Sequence, residues 1–131
     1  MKFMLIMNTP YDGYDDYLNW PQKIREANIA FMVAFSRRLA AAGELVATQG
    51  LDSPHHARRV RAGADGKPIT DGVFPESKEF LAGYWLIDVD SAERAYALAA
   101  EASMAPGVPS ERMPEFWIEV RQLMACHEDI R

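Results

Sequence analysis

The sequence predicts an α+β fold in which two helices cover one face of a four-stranded sheet. Three observations indicate this fold class. Short apolar runs of strand length are separated by longer stretches in which apolar residues recur every three or four positions. Glycine and proline lie between these segments, where turns and helix ends are expected. The run at residues 81–89 is apolar on both of its alternating faces, which is typical of a central strand.

The first third of the chain predicts a strand, a loop and a long helix. Residues 2–7 are rich in Phe, Leu, Ile and Met and indicate a buried strand, and residues 8–19 indicate a polar loop. The helix is predicted to begin at Pro21, because proline suits the first helical position. Gly43 is the expected left-handed residue after its end. The apolar stripe of this helix comprises Ile24, Ala27, Phe31, Ala34 or Phe35, Leu39 and Ala42.

The middle of the chain predicts strands and a tight turn. Residues 44–51 are a second strand candidate. Residues 57–61 and 67–70 flank the segment Gly63-Ala64-Asp65-Gly66, which is typical of a hairpin turn. The central strand at 81–89 follows.

The last third predicts a helix, a loop and a final strand. Asp90 is the expected N-cap of the helix, with Glu93 as its reciprocal partner. Pro106 and Pro109 mark a loop, and residues 116–123 are the last strand. The inward face of the helix comprises Ala95, Leu98, Ala99 and Ala102.

Without the hairpin, the order of elements is βαββαβ, which is the ferredoxin-like order with one inserted hairpin. Two helices on one face leave the other face of the sheet uncovered. Because the central strand is apolar on both faces, we expect a second copy of the chain to cover it. The 131 residues are thus predicted to form one domain that assembles as a homodimer.

Composition narrows the classes of partner. Lys and Arg number 14 against 19 Asp and Glu, whereas proteins that bind nucleic acid usually carry a basic excess, so we expect no nucleic acid partner. No apolar stretch approaches the length of a membrane span, and the first residues lack a signal-peptide core, so we expect no membrane association. Cys126 is the single cysteine, which fits a reducing compartment and a cytoplasmic location.

Three segments resemble the YCII-related superfamily, and more closely its DGPF-type branch: GELVATQGL at 43–51, TDGVFPESKE at 70–79 and LAGYWLIDVDSAERA at 81–95. The branch is characterised by an Asp-Gly-Pro-Phe turn. Here Val73 replaces the proline, and Pro75 comes one residue after the phenylalanine. The positions that match the branch are Asp71, Gly72, Phe74, Glu76, Lys78, Glu79, Gly83 and Tyr84.

The resemblance implies a dimeric α/β-barrel built from two ferredoxin-like protomers. It also implies a link to transcription, since many DGPF-type members are encoded near extracytoplasmic-function sigma factors, and hence a regulatory protein partner. Some YCII relatives are thought to be enzymes that use a His and an Asp in the barrel cleft. In this chain His55 is the first histidine, so the early helix has none, and we do not carry the His–Asp chemistry over.

The segment at 71–79 is the main candidate site, as a polar cluster at the rim of the cleft. Asp71 and Glu76 are the candidate catalytic acids. Lys78 or Arg59 would hold an anionic group of a ligand. The alternative is a solvated turn, since Asp-Gly is a common turn pair. The candidate ligand-binding residues are Arg59, Phe74, Lys78, Glu79 and Tyr84.

Two functions of different classes follow from this site. The first is a small-molecule-binding or regulatory protein whose ligand is unknown. The second is a cofactor-independent isomerase, lyase or dehydrohalogenase that acts on a small cyclic or aromatic acid by carboxylate acid–base catalysis. An enclosed pocket with a buried carboxylate of raised pKa would favour the enzyme, and a shallow, wet cleft would favour the binding protein.

Other polar segments predict less. In YDGYDDY at 11–17 the acids offer cation ligands and the tyrosines a pocket wall, but the spacing does not match an EF-hand loop, and a solvated loop is favoured. On an extended chain the rings of His55 and His56 would point to opposite faces, so we expect no metal site and no cofactor. His55 would act as an acid or base only if it reached the cleft.

The only basic block is HHARRVR at 55–61. Arg59 and Arg61 share one strand face, and Arg58 lies on the other. Such charge keeps an edge hairpin from pairing with other strands. The alternative is a docking patch for an acidic protein or an anionic ligand.

Overall fold

The structure is a computed structural model that describes residues 1–76 and 79–125. A 3₁₀ turn at Pro54–His56 lies between the second and third strands. In chain order the other elements are β1 (Lys2–Thr9), α1 (Gly13–Leu18), α2 (Gln22–Ala41), β2 (Leu45–Gly50), β3 (Arg58–Ala62), β4 (Pro68–Gly72), β5 (Phe80–Asp88), α3 (Ala92–Ala102) and β6 (Ile118–Gln122).

The main sheet is antiparallel and has the strand order β2-β5-β1-β6. Without the inserted hairpin, this is the strand order of the ferredoxin-like fold, so the predicted α+β fold is confirmed. β5 and β1 occupy the two central positions, as the apolar faces of β5 predict. β3 and β4 form a separate two-stranded hairpin with Gly66 at positive φ in its turn.

Side chains from α2 and α3 pack on one face of this sheet and form the core. Phe35 and Leu39 are the buried residues of α2. The Phe35 ring meets that of Trp85 edge-on, with the centroids 5.4 Å apart. The indole nitrogen of Trp85 donates a hydrogen bond to Ser36 Oγ at 3.2 Å. The four predicted inward residues of α3 are all buried, and the small size of the three alanines among them lets the helix lie close to the sheet.

The opposite face of the sheet carries a second apolar surface, which we call the open face and define as Met4, Ile6, Tyr84 and Leu86. In the register of β1 and β5, Met4 lies opposite Leu86, and Ile6 lies opposite Tyr84. These four side chains are half-buried in the single chain, whereas the helix-facing residues beside them are buried. Among the described residues, no helix is both long and apolar enough to cross a membrane.

Two local predictions are wrong. The segment after β1 is a short helix, α1, and not a loop. Asp15 and Asp16 lie in the first turn of this helix, where their negative charges interact favourably with the positive end of the helix dipole. The N-cap of α3 is Ser91 and not Asp90, because the Ser91 hydroxyl accepts the backbone N–H of Arg94 at 3.1 Å. The left-handed Gly43 after α2 is confirmed, with φ of 73°.

Candidate functional site

One edge of the main sheet gathers several polar segments. Because β1 and β2 both run antiparallel to β5, their C-terminal ends lie at the same edge as the start of β5. α1 follows β1, and the 3₁₀ turn follows β2. Side chains of these two segments, distant in sequence, therefore meet at this edge.

The central contact of this edge joins His55 and Asp12. His55 Nε2 lies 2.8 Å from Asp12 Oδ1 and 3.7 Å from Asp15 Oδ2. The ring stacks on that of Tyr11, with the centroids 4.0 Å apart. The Ser53 hydroxyl accepts the backbone N–H of His55 at 3.2 Å, which holds the turn that presents the ring. We call this group, with Arg112, the His55–Asp12 cluster.

Arg112 holds the other side of the same carboxylate. Its Nη1 donates to Asp12 Oδ2 at 3.2 Å, and its Nη2 lies 3.5 Å from Asp16 Oδ2. The hydrogen bond from His55, and then that from Arg112, lowers the pKa of Asp12 below its ordinary value. Asp12 is therefore ionised at neutral pH and can only accept a hydrogen bond, so the neutral His55 ring that binds it carries its hydrogen on Nε2 and has Nδ1 as its basic nitrogen.

This arrangement can perform proton transfer. An ionised carboxylate that orients an imidazole is the arrangement that makes histidine a general base, since the carboxylate selects the tautomer and stabilises the imidazolium. The side chains of both residues remain partly exposed, at 38% for His55 and 42% for Asp12, so a ligand can reach the pair from solvent.

The same cluster groups three potential metal ligands. One ligand atom each from Asp12, Asp15 and His55 lies within 4.8 Å of the others. Nitrogen and carboxylate oxygen are ligands that several divalent metals accept. The guanidinium of Arg112, however, already neutralises Asp12 and would compete with a cation for it.

His56 binds a different acid. Its Nδ1 lies 2.9 Å from Asp52 Oδ2, and this hydrogen bond lowers the pKa of Asp52. The two histidines lie on a 3₁₀ turn and not on the extended chain for which opposite faces were expected. Their rings nevertheless bind different acids.

The structure brings three of the sequence-predicted residues together at the base of the β3–β4 hairpin. Arg59 Nη2 lies 3.1 Å from Asp71 Oδ2, and Arg59 Nε donates to the carbonyl of Gly72 at 2.9 Å. The guanidinium carbon of Arg59 lies 4.2 Å from the centroid of the Phe74 ring. The Asp71 side chain is 76% exposed, so it lacks the burial that raises the pKa of a catalytic carboxyl.

The remaining predicted residues that the structure describes form no side-chain hydrogen bond or ion pair with this group. Glu76 and Glu79 are exposed. Tyr84 belongs to the open face of the main sheet. The candidate Lys78 lies outside the described residues, as does Cys126.

The sequence alone does not indicate that His55 pairs with Asp12, although each lies in a segment with candidate polar residues. The two residues are 43 positions apart, so no local motif contains them. The available signal was topological: each follows the C-terminal end of a strand, and the two strands run in the same direction in the ferredoxin-like order.

Removal of the imidazole is expected to raise the pKa of Asp12. His55→Ala deletes the hydrogen bond that contributes most to the lowered value, while Arg112 keeps part of the effect. Titration of the carboxyl carbons by NMR measures this change. Because folding lowers the pKa of Asp12, the ionised carboxylate stabilises the native state at pH values above the pKa that Asp12 has in the unfolded chain. This stabilisation is lost as the pH falls through the lower pKa that Asp12 has in the folded chain. The same titration of Asp52 in this variant is the control, and an unchanged Asp12 would contradict the pairing.

The comparisons with known proteins bear on the family. The family model of the YCII-related domain matches residues 1–112, a range that includes the whole His55–Asp12 cluster. No curated protein matches the chain. Since the match covers most of the 131 residues, the chain belongs to the YCII-related domain family.

Proposed function

We propose that this protein binds a small cyclic or aromatic molecule beside His55 and moves a proton to or from it without a cofactor. The observation that carries the proposal is the 2.8 Å contact between His55 Nε2 and Asp12 Oδ1, in a cluster where Arg112 fixes the carboxylate. The reaction class is that of an isomerase, lyase or dehydrohalogenase, since each can begin with removal of a proton from carbon.

The residues have distinct roles in this proposal. His55 Nδ1 accepts the proton from the substrate, and Asp12 stabilises the imidazolium that forms. Arg112 keeps Asp12 oriented and ionised. The Tyr11 ring neighbours both the His55 ring and the Phe80 ring, with its centroid 5.9 Å from that of Phe80, so this side of the cluster is aromatic and suits a substrate that contains a ring.

The charge of the cluster restricts the substrate. Asp12, Asp15 and Asp16 supply three carboxylates against the single guanidinium of Arg112, so the cluster is negative when His55 is neutral. An uncharged or cationic molecule is therefore favoured over the small acid considered from the sequence.

Hydrogen–deuterium exchange tests this function without knowledge of the substrate. A panel of cyclic ketones, lactones and nitroalkanes is incubated with the protein in D₂O, and loss of the signal from acidic C–H groups is followed by proton NMR. Exchange of at least one compound faster than in buffer is the expected result. A panel in which no compound exchanges faster than in buffer would contradict proton transfer.

A second candidate function is supported by the Arg59–Asp71–Phe74 group. These residues match the DGPF-type turn or face it, and they present a cation, an anion and an aromatic ring within one exposed segment. This group suits a binding or regulatory protein that holds a small molecule or a regulatory partner linked to sigma-factor-dependent transcription. Binding that is lost in Phe74→Ala and kept in His55→Gln, with no turnover, would favour this second function.

We further propose that the protein is a homodimer in which the open faces of two chains pack together, as in a dimeric α/β-barrel. The support is the apolar character of the open face on the two central strands. When the open faces of two chains pack together, equivalent residues of the two chains lie around a two-fold axis.

Leu86→Glu tests this dimer. A charge introduced at the centre of the open face is expected to raise the dissociation constant of the dimer by about tenfold or more, because the charge loses its contact with water on association. Sedimentation velocity over a range of concentrations measures the dissociation constant. Val33→Glu adds the same charge on the exposed side of α2 and is the matched control. A wild-type chain that stays monomeric at micromolar concentration would contradict the dimer.

A further inference from the structure

The β3–β4 hairpin projects from the edge of the main sheet, and we call residues 57–72 the arm. Every residue of β3 is exposed, and so is every residue of β4 except Gly72. The apolar side chains of Val60 and Ile69 are 61% and 44% exposed. A two-stranded hairpin alone in water is marginally stable. Packing against a further surface would therefore stabilise the arm.

Within residues 1–76 and 79–125, the side-chain hydrogen bonds of the arm do not reach the main sheet or the helices. Arg59 binds Asp71 and Gly72 within the arm, and Arg58 binds the carbonyls of Ala57 and His55 at its base. The concave surface on the arm, of about 420 Å³, is lined by exposed residues and is not enclosed. Such a surface suits a protein partner better than a small molecule.

The charge of the arm is opposite to that of the remaining chain. The arm has four basic residues and two acidic ones, for a net charge of +2, so the remaining residues of the −5 chain carry −7. Asp71 neutralises Arg59, which leaves three further basic residues on the arm: Arg58, Arg61 and Lys67.

We propose that the arm of one protomer docks on the body of a second copy of the chain, the residues outside 57–72, which carry a net negative charge. This inference rests on the proposed homodimer and adds a second contact to it. In a two-fold dimer both arms dock in the same way, so every substitution in the arm acts twice. The exposed Val60 and Ile69 become covered, and the basic side chains of the arm meet the negative body of the partner.

Limited proteolysis with trypsin tests the docking directly. Arg58, Arg59 and Arg61 are potential cleavage sites in the arm, whereas Lys67 is followed by Pro68 and trypsin does not cleave before proline. At fixed trypsin concentration, cleavage of the arm is expected to slow as the protein concentration rises through the dissociation constant of the dimer. The Leu86→Glu variant, whose dimer is expected to be weakened by about tenfold or more, is the control, and its cleavage should slow only at correspondingly higher protein concentrations.

Charge reversal provides a second test. The double variant Arg58→Glu/Arg61→Glu is expected to weaken the dimer by about tenfold at low salt, with a smaller effect at high salt. Lys23→Glu/Arg37→Glu makes the same change of charge on exposed positions of α2 and is expected to change the dissociation constant by less than about threefold.

The results of these experiments distinguish failure of the docking proposal from failure of the homodimer proposal. A wild-type dimer whose arm is cleaved at the same rate at all concentrations overturns the docking and leaves the homodimer standing. Equal increases in the dissociation constant of the dimer in both double variants would also overturn the docking of the arm. A wild-type chain that is monomeric at all concentrations overturns both proposals.

Discussion

Substitution of glutamine for His55 is expected to lower the rate of proton exchange on a responsive carbon acid by about 10²- to 10⁴-fold, the usual contribution of a general base. Glutamine can still fill the position beside Asp12, but it has no basic nitrogen. NMR measurement of exchange rates in D₂O, with wild type and variant at equal concentration, measures the loss. Asp12→Asn is expected to lower the rate too, because the carboxamide cannot select the required tautomer of His55.

His56→Gln is the matched control for this loss. His56 is the adjacent residue, lies on the same 3₁₀ turn and also binds a carboxylate, that of Asp52. It is expected to keep the wild-type rate because it has no contact with Asp12 or Tyr11. An equal loss in His56→Gln, or a full rate in His55→Gln, would refute the role given to His55.

Replacement of Phe35 by alanine is expected to reduce the free energy of unfolding by about 3–5 kcal/mol. Phe35 is 1% exposed and meets Trp85 edge-on at the centre of the core, so its removal leaves a cavity that the sheet cannot fill. Chemical denaturation followed by circular dichroism measures the change. The denaturant concentration at the midpoint of unfolding should fall, whereas the dependence of the free energy of unfolding on denaturant concentration should change little if the folded state is retained.

Val33→Ala is the control for this change in stability. Val33 lies on the same helix two positions earlier, but it is 42% exposed. Its truncation is expected to reduce the free energy of unfolding by less than about 1 kcal/mol, because little buried surface is lost. Similar values for the two variants would mean that Phe35 does not occupy the core.

The fold was predictable because its strongest signals are periodic. The two apolar faces of β5 indicated its central place, and Gly43 and the hairpin turn marked real changes of direction. Spacing alone could not choose between Ala34 and Phe35, since both fit a helical stripe. Packing against Trp85 selects Phe35. The predictions for residues 8–19 and for Asp90 failed because short helices and caps depend on individual hydrogen bonds.

The candidate site was predictable only in part. Asp71 and Phe74 lie within one short motif, so their proximity to one another could be read directly, and their contact with Arg59 follows from the hairpin. The pair of His55 and Asp12 depends on two strands that are not neighbours in the sheet, since β5 lies between them. The C-terminal ends of β1 and β2 lie at one edge because both strands run antiparallel to β5.

The central position of β1 has a consequence for how the chain acquires its fold. β1 is paired along its whole length with β5, and Lys2 lies opposite Asp88. During synthesis β1 therefore remains without this neighbour until the residues up to Asp88 have left the ribosome. Pairing of such distant segments makes folding slow and leaves the apolar segment at residues 2–7 open to aggregation in the interval.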